Sequence, residues 1–499
     1  MIRKNRENGI LLPISALPGK YGIGTLGQEA YKFVDFLSEA KVNVWQMLPL
    51  NVTSYGDSPY QSQSSNGLNY YFIDLDTLIK KGLISEKDVA ECDFGSDERK
   101  INYGLLFNNR TNLLKKAFTK FDKDNYAFKE FEHSRQYHDF AFFLTMKSLH
   151  GFSPWYSWED EERIYSLELE EKIIKENYDL YQFYIWTQYE FLEEYKDLKR
   201  YANNKGISIM GDMPLYLARD SIEAYKYPEL FKFDENHNPT IVAGCPPDYF
   251  NADGQLWGNP IYDWEYMKKS NYKWWNDRID NNLQIFDILR IDHFRGISSY
   301  YTIKADAENA REGNWVQGPG IELFNNKTDL PIIAEDLGFI DDGVRELLAQ
   351  SNYPGMKVLE FAFDGQRNNE HKPSNAKYNY VCYTGTHDNE PILGYIESLT
   401  EDELKVFKKD VESQCKLFAV DYKGETNKDL VRTVDELCYA SPCRLAILPL
   451  QDIIPFSSEA RLNTPSLLSD KNWSFRFLES DFTEEVKSFL KTTILKYGR

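Results

Sequence analysis

The stretch Arg290-Ile291-Asp292-His293-Phe294-Arg295-Gly296 ends an apolar run with a carboxylate. Strand alternation puts Arg290 and Asp292 on one face, and a guanidinium beside a carboxylate keeps it ionised, as an anionic nucleophile requires. A buried structural ion pair would give the same pattern. In Ile332-Ile333-Ala334-Glu335-Asp336-Leu337-Gly338 a second apolar run ends in two acids. One of them facing a pocket, its pKa raised by burial, could act as a general acid while the other caps the next helix. A third run opens into Tyr383-Thr384-Gly385-Thr386-His387-Asp388-Asn389-Glu390, where Asp388 or Asn389 could equally cap a helix. Three acids brought to one place fit glycoside cleavage with retention. That chemistry needs a nucleophile and an acid/base about 5–5.5 Å apart, and a further carboxylate can hold the sugar hydroxyls. His293 and His387 each flank one of these acids and can donate to hydroxyls.

Acids at the ends of apolar runs need a scaffold that brings the run ends together. Eight such runs recur, at 9–17, 42–50, 207–216, 288–294, 331–338, 357–363, 380–388 and 443–452. Near-continuous hydrophobicity suits parallel strands covered on both faces, and helical periodicity follows several of them, as in QEAYKFVDFLSEAK, DDGVRELLAQ and EDELKVFKKDVESQ. Eight strands with crossover helices predict an α/β fold of the (β/α)₈ TIM-barrel type, whose active sites lie at the strand C-terminal ends. Residues 1–50 and 206–499 are expected to form the barrel. Residues 51–205, rich in periodic charge-laced segments, are expected to form a mostly helical insertion. Residues 217–287 are a second excursion, expected to build the cleft and its cover.

Other chemistries lose their footing. Gly22-Ile23-Gly24-Thr25-Leu26-Gly27 satisfies GxGxxG, but the next strand, through Gln46-Met47-Leu48-Pro49-Leu50, ends without the carboxylate a dinucleotide site wants. The glycines read instead as a turn before a helix starting near Gln28. No P-loop, GxSxG or HExxH is present. A net charge of −20 argues against nucleic acid and anionic membranes as partners and favours a neutral ligand. Aromatic residues make up 15% of the chain, and their faces suit both sugar rings and cores. Six cysteines without CxxC pairs, and a basic start with no apolar stretch behind it, predict reduced thiols in a cytoplasmic protein.

The chain resembles the amylomaltase, or disproportionating enzyme, family of 4-α-glucanotransferases, which is related to the α-amylases. The resemblance runs over residues 9–476. It is carried by Leu12-Pro13-Ile14-Ser15-Ala16-Leu17, by Tyr55-Gly56-Asp57-Ser58-Pro59-Tyr60-Gln61-Ser62 and by Gly211-Asp212-Met213-Pro214-Leu215-Tyr216. Val242-Ala243-Gly244-Cys245-Pro246-Pro247-Asp248-Tyr249-Phe250, Gly254-Gln255-Leu256-Trp257-Gly258-Asn259-Pro260 and the three acid motifs add to it. Within Asn463-Thr464-Pro465-Ser466, Ser466 stands where the family pattern has glycine. The resemblance implies Asp292 as nucleophile, Glu335 as acid/base and Asp388 as transition-state stabiliser. It implies Tyr60, Asp212, Arg290, His293 and His387 around the cleaved sugar. Residues 248–257 would cover the acceptor, with Tyr249, Phe250, Gln255 and Trp257 contacting it. It implies no metal and no organic cofactor. Donors would be maltooligosaccharides or starch- or glycogen-derived glucans, and acceptors glucose or maltooligosaccharides. An α-glucan hydrolase with the same acids, or a glucan-binding barrel without activity, are the alternatives.

Overall fold

The computed structural model describes residues 6–247, 252–325 and 327–499. Its strands are β1 Glu7–Leu11, β2 Val44–Gln46, β3 Ser208–Met213, β4 Ile241–Cys245, β5 Gln255–Pro260, β6 Ile288–Ile291, β7 Ser299–Lys304, β8 Gly313–Gln317, β9 Ile332–Ala334, β10 Gly355–Val358, β11 Tyr380–Tyr383 and β12 Leu445–Pro449. Eight of them form one parallel sheet in the order β10-β11-β12-β1-β2-β3-β6-β9. These are the eight apolar runs, and their residues are almost uniformly buried. Such strands can be covered only by helices on the outside and by one another within, so the sheet curls into a barrel.

The seam between β9 and β10 is closed partly by a side chain. Ala334 N–H donates to the Pro354 carbonyl at 2.8 Å, and Met356 N–H donates to the Asp336 carboxylate at 2.5 Å. A Cβ on Gly355 would lie 2.5 Å from that carboxylate, so glycine is needed at this crossing. Asp336 therefore does not cap the next helix, as one reading of the paired acids had it. The helix Asp342–Ser351 is capped by Asp341, whose side chain accepts from Val344 N–H. Neither Asp388 nor Asn389 caps a helix either. The helix Ile392–Ser398 begins after Pro391, and its first N–H donates to Asp452 at 2.8 Å.

The predicted helices are present at Gln28–Glu39, Asp342–Ser351 and Glu401–Phe418, the last opened by a Thr400/Glu403 capping box. Gly27 is the N-cap of the first, and its Cα lies against the Asp74 carboxylate, which also accepts from Thr25 Oγ1 at 3.0 Å. The glycine-rich turn thus meets the protein's own anion where a phosphate would need to approach.

Between β2 and β3 lie eight α-helices and, among the described residues, no strand. The longest, Tyr178–Asn204, buries a stripe of aromatic and aliphatic side chains against the helix Gln28–Glu39 and neighbouring helices. From it, the Gln188 amide accepts from Leu68 N–H at 2.8 Å and donates to the Leu68 carbonyl at 3.0 Å. Glu223 accepts from Ser65 N–H at 2.8 Å. These bonds fix the loop that carries Tyr60 over the barrel mouth.

A second sheet, antiparallel in the order β5-β4-β7-β8, stands beside that mouth. Its first pair comes from residues 217–287, the anticipated excursion. The second pair comes from the connection between β6 and β9, for which the sequence reading proposed no strands. Cys92, Cys382, Cys415, Cys438 and Cys443 are free thiols. No helix among the described residues is long and apolar enough to cross a membrane.

Candidate active site

Asp212 in β3 and Arg290 in β6 are paired in register, so their side chains emerge together at the barrel mouth. One Arg290 Nη lies 2.6 Å from Asp212 and 3.0 Å from Asp292. Arg290 and Asp212 are buried, whereas the Asp292 side chain keeps 27% exposure. Burial pushes Asp292 up to about 6, against the pull of the neighbouring guanidinium. The chain then reverses through His293, which adopts the left-handed φ of 49°. A non-glycine residue seldom takes that conformation without a reason fixed by its surroundings. Here it aims His293 N–H at the Glu335 carboxylate, 2.7 Å away.

Glu335 directly follows β9, and its other oxygen accepts from Leu337 N–H at 2.6 Å. It is buried. Burial raises it to about 7; Arg290 and these two N–H bonds oppose the rise, and the nearby Asp292 charge adds to it. Of the two, Asp292 ionises first, because it holds the closer cation and the greater exposure. Burial holds His293 down to about 3, so its ring is neutral.

Asp388 is brought in by the loop after β11. Burial works to raise it, but His387 and the Asn463 amide, 2.7 Å from its carboxylate, bring it down to about 2. Tyr60 donates to Asp212 at 2.9 Å, so His387 Nδ1, 3.2 Å from the same hydroxyl, must be the donor there. With Nε2 3.4 Å from Asp388, the ring is set to carry a proton on both nitrogens. Burial, the largest single influence, lowers its pKa, but the Asp388 charge, the hydrogen bond to that carboxylate and the Asp212 charge together raise it. The Tyr60 and His387 rings stack at 4.6 Å, with Trp473 tilted against both.

These groups line one cleft of about 740 Å³, counted with its open mouth. Tyr60, Asp292, His293, His387 and Asp388 share it with Gln255, Trp257 and Asn259. Trp257 meets the His293 ring edge-on at 4.8 Å and donates to Gln255 at 3.0 Å. Tyr249 and Phe250 lie outside the described residues, as does Asp248. Arg290, Asp212 and Glu335 are buried directly behind lining residues, in contact with Asp292, the Tyr60 hydroxyl and His293 N–H respectively. Among the described residues one group, His138, Asp139 and Glu170, has the spacing of a metal site. The Lys226 ammonium already occupies it, 2.8 Å from Asp139 and 2.6 Å from Glu170.

The sequence model of the 4-alpha-glucanotransferase family matches residues 12–481. The chain belongs to that family. It is 41% identical to the 4-alpha-glucanotransferase of Clostridium butyricum, over 97% of this chain and 99% of that one. It is 39% identical to that of Aquifex aeolicus, over 99% of both. The amylomaltase of Streptococcus agalactiae, solved in complex with acarbose, superposes with a TM-score of 0.93 at 40% identity, covering 99% of this chain and 100% of the other.

In this 4-alpha-glucanotransferase, several residues that hold the site had no signal in the sequence. Asp452 clamps both ends of the Asp388 loop, accepting from Thr384 Oγ1 at 2.6 Å and from Ile392 N–H at 2.8 Å. Arg461 straps the loop from outside. Its guanidinium donates to the Asp388 carbonyl at 2.7 Å, to Glu390 at 2.7 Å and to the Asn463 carbonyl at 2.8 Å. Only the spacing Arg461-Leu462-Asn463 before the 463–466 motif could have hinted at this. Arg461→Ala is expected to lower kcat about 10²-fold while KM changes little, since a displaced Asp388 costs mainly the transition state. Initial rates across donor concentration separate the two, and a change confined to KM would count against the strap. Ser466 has φ 63°, the left-handed region in which glycine is free, which is where the family pattern places glycine.

Proposed function

We propose that the chain moves a segment of a 1,4-α-D-glucan onto the 4-hydroxyl of a glucose or glucan acceptor by double displacement. Membership of the family supports the reaction. The observation that carries the mechanism is three carboxyl groups held in different states in one cleft: Asp388 low, Asp292 beside Arg290, and Glu335 raised to about 7.

In the first step a carboxylate oxygen of Asp292 bonds to the anomeric carbon as the C–O bond to the leaving sugar breaks. Glu335 gives its proton to the departing oxygen. Asp388 then faces the positive charge that develops on the donor ring, held in place by His387 and Asn463. In the second step Glu335 takes the proton from the acceptor 4-hydroxyl. That oxygen bonds to the anomeric carbon, the ester to Asp292 breaks, and the linkage keeps its α configuration. Tyr60, Asp212, Arg290, His293 and His387 hold the donor ring, and Gln255 and Trp257 border the acceptor side. Maltooligosaccharides and starch- or glycogen-derived chains are the donors. The acarbose complex of the Streptococcus agalactiae amylomaltase supports ligands of this class. Five free cysteines, Cys92, Cys382, Cys415, Cys438 and Cys443, support a reducing, cytoplasmic setting.

Incubation with maltotriose alone is the test. Glucose together with chains longer than maltotriose is the expected result. Glucose and maltose only, with reducing ends rising, would make the protein a hydrolase and overturn transfer.

A further inference from the structure

The antiparallel sheet carries aromatic surface that the mechanism above does not use. Trp315 on the edge strand β8 is 41% exposed, and Phe339 is 68% exposed. Their ring centroids are 6.4 Å apart with the planes 32° from parallel. A single exposed ring is ordinary, whereas adjoining exposed rings form a continuous apolar surface that can receive a ligand.

Trp315 is also built to stay where it is. The Arg295 guanidinium lies over its ring at 3.8 Å. That guanidinium is itself buried, donating to Ser299 Oγ at 2.9 Å and pairing with Asp341 at 3.3 Å. Tyr301 meets the indole in a tilted, edge-type contact at 5.4 Å. A rigid indole with one face covered and substantial exposure remaining is a platform whose ordering cost has already been met by the fold.

Its position follows from the chain. Arg295 is three residues after Asp292, and Phe339 four after Glu335, so their Cα atoms lie within about 11 and 14 Å of those acids. Leu337, midway to Phe339, donates its N–H to Glu335. The donor ring is held on the side of Tyr60, His387, Asp388 and Asn463. Glu335 protonates the oxygen of the leaving sugar, so sugar that leaves or arrives passes beside Glu335, four residues from Phe339.

We infer that the Trp315–Phe339 pair is a stacking platform for a distal glucose ring of the acceptor glucan, beyond the unit that receives the transferred chain. The inference rests on the transfer activity proposed above. Sugar rings present an apolar face of C–H groups, which suits two offset aromatic rings and needs no charge.

The test uses unlabelled maltotriose as donor and either glucose or maltotriose, labelled at its reducing unit, as acceptor. Initial rates of label appearing in longer products report only acceptor use. Phe339→Ala and Trp315→Ala are expected to raise the KM for labelled maltotriose about five-fold, leaving that for glucose unchanged. Trp315→Phe is expected to restore most of the loss. Phe339 is a surface residue, so its truncation keeps the test sound if Trp315→Ala folds poorly. Normal maltotriose KM in Phe339→Ala and Trp315→Ala (in Phe339→Ala alone if Trp315→Ala does not fold), or an equal rise for both acceptors, would overturn the platform while transfer stands. Absence of label transfer by the unaltered protein would overturn transfer, and the platform with it.

Discussion

Asp292→Asn is expected to lose transfer by about 10⁴-fold or more, because an amide cannot form the ester on which both displacements depend. The substitution keeps the size of the side chain and its place 3.0 Å from Arg290, and Arg290 retains Asp212 as an ionic partner. Binding of maltotriose and the thermal midpoint should therefore stay close to those of the unaltered protein. Initial rates of maltotriose disproportionation, read beside calorimetric binding, check both halves of this expectation. A variant within ten-fold of normal turnover would remove Asp292 from the role of nucleophile.

Glu335→Gln acts on the proton rather than on the bond, so its signature lies in pH and in what accumulates. In the unaltered protein, kcat/KM should rise as Asp292 ionises near 6 and fall as Glu335 loses its proton near 7. The two acids sense each other, so these limbs belong to the pair as apparent values. Below the window the nucleophile is protonated. Above it no proton is left for the departing oxygen. Glutamine should lower the rate about 10²- to 10⁴-fold and abolish the alkaline limb. With α-maltosyl fluoride, whose leaving group needs no proton, the first step should still run. The acceptor would then lack its base, and the ester should accumulate, visible by mass spectrometry on the peptide bearing Asp292. An alkaline limb that survives in Glu335→Gln would place the acid elsewhere.

The parts of this site legible in the sequence share a physical cause. Buried parallel strands must be apolar nearly throughout, so a polar residue at a strand's C-terminal end stands out. That is why Arg290, Asp292, Glu335 and Asp388 could be singled out, whereas Asp212 was named only through the family resemblance. What surrounds them did not stand out. Asp452 and Arg461 are ordinary charged residues until β12 and the 461–463 segment bring them to the Asp388 loop. Asp336 read as a helix cap because it is short, acidic and near a helix start. The structure uses it across the β9–β10 seam, a contact 20 residues distant. β8 escaped notice because an exposed edge strand of mixed polarity lacks the apolar density of a barrel strand; its partner β7 is buried over Tyr300–Ile303 but was not singled out as an apolar run.

By itself the sequence determined the eight-stranded barrel, the helices that follow several strands and the acids at the strand ends. Periodicity and burial are local constraints, written in the residues that obey them. Tertiary structure alone decided the protonation order of those acids. Asp292 and Glu335 are both raised by burial, and Asp388 is lowered although it too is buried. The difference lies in which guanidinium, imidazole or N–H group each one meets. Those partners come from distant elements, as with Asn463, 75 residues from Asp388 in the chain, brought together by the closing of the barrel.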